Sequence, residues 1–110
     1  MAATQRDALG PTTPTTSLFT DMYELTMLQG ALRSGTAERA SVFELFGRRL
    51  PSSRRFGVVA GTGRLLDAVE DFTFTDAQID FLHAAGVVDD TTLDYLRGYR
   101  FSGTIRGYAE

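Results

Sequence analysis

The chain has 110 residues, 43% of them apolar and 23% charged, the make-up of one ordinary globular domain. A net charge of −3 and a pI near 5.1 give it no electrostatic footprint for nucleic acid. With no cysteine and a single histidine, it can build neither a disulfide framework nor a thiolate or histidine-rich metal site.

Met1–Thr16 holds two prolines, five threonines and few large apolar groups. It reads as a disordered leader, too polar to offset the entropy of ordering, and it lacks the apolar core of a secretory signal. No apolar run approaches the ~20 residues that cross a bilayer, so a cytoplasmic protein is expected.

The stretch from Leu18 to Met27 is where structure begins. Thr20 or Asp21 can cap an orphan N–H of a first helical turn, and Glu24 follows Asp21 at capping-box spacing. Leu25, Leu28 and Leu32 recur at helical period, with Tyr23, Met27 and Gly30 on a neighbouring stripe. Gly35 reads as the stop, so the spacing predicts a helix over 21–34. Residues 41–46 (Ser-Val-Phe-Glu-Leu-Phe) alternate apolar groups on both faces and read as an interior strand. A polar loop over 47–55 brings Arg48, Arg49, Arg54 and Arg55 together, and 56–60 reads as a second strand, antiparallel to the first.

Gly61-Thr62-Gly63 opens a helix over 62–71 with Leu65, Leu66 and Val69 on its buried face. Thr75 and Gln78 form a capping-box pair for a helix that uses Ile79, Leu82 and His83, or Phe81 on the flank, and stops near Gly86. A third short helix starts at Asp90 or Thr91, uses Leu93, Tyr95 and Leu96, and ends near Gly98. Residues 101–108 read as a last strand, and its short unpaired edges suggest an N-terminal piece of something longer.

Residue chemistry alone assembles no catalytic set. The Gly61–Gly63 turn lacks the third glycine of a dinucleotide fingerprint and the Lys-Ser/Thr of a P-loop, so the plainer reading is a tight turn. The arginine loop suits phosphates or carboxylates, but equally a solvated surface. His83 has no identifiable proton partner. Asp76, Asp80, Asp89 and Asp90 read as helix starts and solvated faces, not a metal cage. Tyr23 reads first as a packed aromatic with a wet hydroxyl.

Residues 20–27 (Thr-Asp-Met-Tyr-Glu-Leu-Thr-Met) resemble the T-D-x-Y-x-L-T-M opening of nicotinate phosphoribosyltransferases. Residues 43–51 resemble the same family's F-E-L-F-x-R-x-x-P segment, departing from it at Gly47, where an aromatic is common. Ala60-Gly61, Phe72–Thr75, Leu93–Leu96 and Phe101–Gly103 continue the resemblance in order, so that it covers about Leu18 to Glu110.

The resemblance implies the N-terminal portion, over 17–110, of a type II phosphoribosyltransferase. In fold this is α+β, with helices packed on a small mixed sheet and the family's α/β barrel outside the chain. It implies an NAD-salvage enzyme that joins nicotinate to 5-phosphoribosyl 1-diphosphate with ATP hydrolysis, uses Mg²⁺ and works as a homodimer. No residue here is identifiable as binding Mg²⁺ or ATP, and the family's phosphorylatable histidine is not His83. By the same resemblance Tyr23 stacks on the nicotinate ring across the dimer interface. Arg48 and Arg49 lie on the phosphate side, and Asp21 orients the first turn or a substrate-side water. The chain alone is expected to be inactive. The alternative is a non-catalytic binding or interaction module derived from the same family.

Overall fold

The computed structural model describes residues 15–109. Most of the expected leader, residues 1–14, lies outside the described residues, whereas Thr15 and Thr16 lie within them. After a 3-10 turn at Thr16–Leu18 come four α-helices: α1 (Met22–Ser34), α2 (Thr62–Glu70), α3 (Asp76–Ala85) and α4 (Asp90–Arg97). No helix among the described residues is long and apolar enough to cross a membrane.

The helices start and stop where side chains and glycines can satisfy their orphan backbone groups. Asp21 is the N-cap of α1, and its N–H donates to Glu24 Oε2 at 3.2 Å. Thr75 caps α3 by accepting from Gln78 N–H at 3.2 Å, while Gln78 Oε1 accepts from Thr75 N–H at 2.9 Å. Asp89 caps α4 by accepting from both Thr92 N–H (2.9 Å) and Thr92 Oγ1 (2.6 Å). Gly35 (φ 75°) and Gly86 (φ 64°) close α1 and α3 in the left-handed region, where a side chain would be strained.

The core lies between α1, α3 and α4. Leu25, Phe74, Ile79, Leu82, Leu93 and Leu96 are buried together, and Leu18, Leu28, Phe72, Val87 and Val88 pack at its margin. Phe72 meets Phe74 edge-to-face at 5.6 Å and Tyr99 at 6.0 Å, the favoured geometry for aromatic pairs.

Long-range polar ties hold the same three helices. Thr15 Oγ1 donates to the Thr73 carbonyl, and Gln78 Nε2 donates to the Thr15 carbonyl at 3.2 Å, strapping the start of the described chain onto the N-terminus of α3. Asp89 N–H donates to Gln29 Oε1 at 2.6 Å, Arg33 reaches Asp89 Oδ2 at 3.0 Å, and Tyr95 donates to Glu38 at 2.8 Å.

Asp89 therefore serves as helix cap and interhelical tie at once. Its bonds from the Thr92 hydroxyl and amide, with smaller help from Arg33, hold its carboxyl below the ordinary 3.8. Since the folded form prefers the carboxylate, Asp89 stabilises the fold above that value. The contribution is lost as pH falls below 3.8 towards the lowered folded value. Asp89→Ala is expected to lower the thermal midpoint by roughly 4–8 °C at pH 7. Asp89→Asn, which still accepts the cap bonds, should lose less and flatten the acid limb of the stability curve. Thermal melts from pH 2 to 7 check both.

The fold class departs from expectation. Among the described residues there is no strand and no sheet, so the α+β reading of helices on a small mixed sheet is wrong and the described chain is all-helical. Residues 41–46, 56–60 and 101–108 run as irregular chain without ladder partners. Val42, Phe43 and Leu45 are 94%, 91% and 94% exposed. Alternation fixes where side chains would point on a strand, but a strand exists only through hydrogen bonds to another one. The α2 helix forms over the expected residues, yet none of them is buried, and Leu65 and Leu66 are nearly half exposed.

Candidate functional site

Among the residues singled out from the sequence, Asp21 and Tyr23 come together at the mouth of α1. The N-cap Asp21 has extended backbone (φ −84°, ψ 147°), and α1 begins at the next residue. The first turn is closed from two sides. Glu24 Oε2 holds the Asp21 amide, and Glu24 N–H donates to the Asp21 carbonyl at 3.1 Å. Thr26 Oγ1 adds a bond to the Tyr23 carbonyl at 3.0 Å. One residue beyond this turn, Leu25 is buried in the core and fixes the helix against α3 and α4.

Tyr23 projects away from that core, 59% exposed. The packed aromatic expected from residue chemistry alone is therefore not what forms; the ring stands out as an open face. The carboxylates of Asp21 first and Glu24 second hold its phenol above the ordinary 10.0, so it stays a neutral donor throughout the physiological range. The arrangement offers a flat aromatic face with a protonated hydroxyl, suited to stacking on a planar ring.

Leu18, Phe19, Thr20, Asp21 and Glu24 line a shallow depression of about 460 Å³ beside this turn. A second, more apolar cleft of about 410 Å³ runs between the 3-10 turn and the Phe72–Tyr99 wall, floored by Leu25, Leu28, Phe74 and Leu96. Nothing in the local sequence signals this cleft, because its walls come from segments more than forty residues apart.

Arg48 and Arg49 are exposed on irregular chain, and among the described residues no hydrogen bond or ion pair joins either to Asp21 or Tyr23. Gly61 (φ 86°) caps α2, which agrees with a tight turn. His83 lies on the surface with Nδ1 3.5 Å from Asp90 Oδ1. Asp76 and Asp90 open helices, as their positions suggest. Among the described residues, no three histidine, cysteine or acidic side chains gather as a metal-holding group.

The family model described as the nicotinate phosphoribosyltransferase N-terminal domain matches residues 18–110. The chain belongs to the nicotinate phosphoribosyltransferase family. It is 50% identical over 109 residues to nicotinate phosphoribosyltransferase pncB1 of Mycobacterium tuberculosis, covering 99% of this chain and 24% of that protein. Nicotinate phosphoribosyltransferase pncB2 of the same organism is 38% identical over 92 residues, 81% of this chain and 19% of its own length. The Bacillus subtilis nicotinate phosphoribosyltransferase is 39% identical over 66 residues, 60% of this chain and 14% of its own length. The chain thus spans about a quarter of the length of the first of these nicotinate phosphoribosyltransferases. No solved structure gives a significant match. The family match begins at Leu18, just ahead of the α1 capping turn, and so contains both Asp21 and Tyr23.

Proposed function

We propose that this chain acts as the N-terminal domain of a nicotinate phosphoribosyltransferase. That enzyme converts nicotinate, 5-phosphoribosyl 1-diphosphate, ATP and water into nicotinate mononucleotide, diphosphate, ADP and phosphate in NAD salvage. It works in the cytoplasm as a homodimer, and the ATP-coupled step gives it ligase character. Tyr23 supplies the face on which the nicotinate ring stacks, across the dimer interface. Asp21 orients the first turn beside it, and Arg48 or Arg49 meets a phosphate. Mg²⁺ and ATP are held by residues other than those described here.

The observation that carries this reading is the open Tyr23 ring on a rigidly capped turn, within a segment matched to the family's N-terminal domain. A flat carboxylated ring gains both area burial and favourable stacking on such a face. Further support comes from the apolar side chains exposed over 42–59 (Val42, Phe43, Leu45, Phe46, Phe56 and Val58), which other parts of a larger enzyme would cover.

The 110-residue chain contributes one wall of the active centre, so it is expected to give no nicotinate mononucleotide when incubated with nicotinate, 5-phosphoribosyl 1-diphosphate, ATP and Mg²⁺. A nicotinate phosphoribosyltransferase carrying it as its N-terminal domain is expected to turn over. Product from the isolated chain would overturn the assignment of the reaction's machinery to other residues.

A further inference from the structure

The Tyr23 ring is 59% exposed, with the Asp21 carboxylate beside its phenol, so the direction in which it leaves the helix follows from the backbone of the Asp21–Tyr23 turn. Tyr23 is the second residue of α1, in the first turn, whose N–H groups have no intrahelical partner. Two contacts of Glu24 close this turn: its carboxylate takes the Asp21 amide at 3.2 Å and its amide reaches the Asp21 carbonyl at 3.1 Å. Glu24 is itself exposed, contributes nothing to the core and forms no salt bridge among the described residues.

We propose that Glu24 is a positioning residue for nicotinate. Its carboxylate fixes the Asp21–Tyr23 turn so that the ring stands preorganised for stacking. The inference rests on the reading of Tyr23 given above and adds to it a residue that touches no substrate. Preorganisation matters because an aromatic platform that must be ordered on binding loses affinity to that ordering. The Glu24 charge has a second, smaller effect: after Asp21, it raises the phenol above its ordinary 10.0.

The test is a double-variant cycle in a nicotinate phosphoribosyltransferase carrying this domain, with amide exchange measured on the 110-residue chain. Glu24→Ala is expected to raise the nicotinate KM roughly threefold to tenfold, leaving kcat and the KM for 5-phosphoribosyl 1-diphosphate in place. Glu24→Gln retains the acceptor oxygen and should restore the KM. In a Tyr23→Ala background, Glu24→Ala should add nothing, since both act through one ring. In the chain itself, the Asp21 amide should exchange faster in Glu24→Ala and as slowly as wild type in Glu24→Gln.

A KM unmoved by Glu24→Ala while Tyr23→Ala raises it overturns the positioning role and leaves the Tyr23 reading standing. Effects that multiply in the double variant, or Asp21 exchange indifferent to Glu24→Ala, also overturn it. If Tyr23→Ala itself leaves the KM unchanged, the Tyr23 reading fails first and the proposal goes with it.

Discussion

Tyr23→Ala, placed in a nicotinate phosphoribosyltransferase carrying this domain, is expected to raise the nicotinate KM by roughly ten- to a hundredfold. The loss comes from removing a ring that is open to solvent and has no core role, so the far-UV spectrum and thermal midpoint should stay at the wild-type values. Tyr23→Phe keeps the stacking face and drops only the hydroxyl, and its KM should lie within about threefold of wild type. The KM for 5-phosphoribosyl 1-diphosphate should move in neither variant. Steady-state kinetics with each substrate varied in turn provides the check. An unchanged nicotinate KM in Tyr23→Ala would remove this residue from the site.

The largest stability effect is expected at Ile79. It is 0% exposed, at the centre of the cluster formed with Leu25, Phe74, Leu82, Leu93 and Leu96. Ile79→Ala removes buried methyl groups and leaves a cavity that neighbours from three helices can only partly close. The expected cost is about 2–5 kcal/mol. A small domain holds only about 5–15 kcal/mol in total, so the variant should be largely unfolded at moderate urea. Phe43→Ser, by contrast, removes a larger side chain that is already in water, and the stability of the chain should barely change. Urea denaturation followed by circular dichroism compares the two. Equal midpoints for Ile79→Ala and wild type would mean that the core lies elsewhere.

The helices were legible in the sequence because their ends are written locally. Asp21 with Glu24, Thr75 with Gln78, and Asp89 ahead of Thr92 each satisfy a nearby N–H, and Gly35 and Gly86 supply the left-handed residue that ends a helix. Strands carry no such local closure. The alternation at Val42–Phe46 is present, but nothing among the described residues pairs with it, and the same side chains that suggested an interior strand are exposed on both faces. The α2 helix makes the related point: periodicity at Leu65, Leu66 and Val69 identifies an apolar stripe and says nothing about what covers it.

The long-range polar ties join residues 56 to 63 positions apart: Arg33 with Asp89, Tyr95 with Glu38, and Thr15 with Thr73 and Gln78. No spacing rule reaches that far. The candidate site rests on a different kind of signal. Residue chemistry placed Tyr23 in a core, where it is not, and only the likeness of residues 20–27 to a family motif marked it as a substrate contact. Arg48 and Arg49 are exposed and bonded to neither Asp21 nor Tyr23, so their phosphate role rests on position in the motif alone.

The most direct measurement is a crystal structure of a nicotinate phosphoribosyltransferase carrying this domain, with nicotinate bound. The Tyr23 ring should lie over the pyridine ring with centroids about 4.5–7 Å apart, as stacked or edge-on aromatic pairs do. A Tyr23 ring far from the pyridine acid in every subunit would contradict the account.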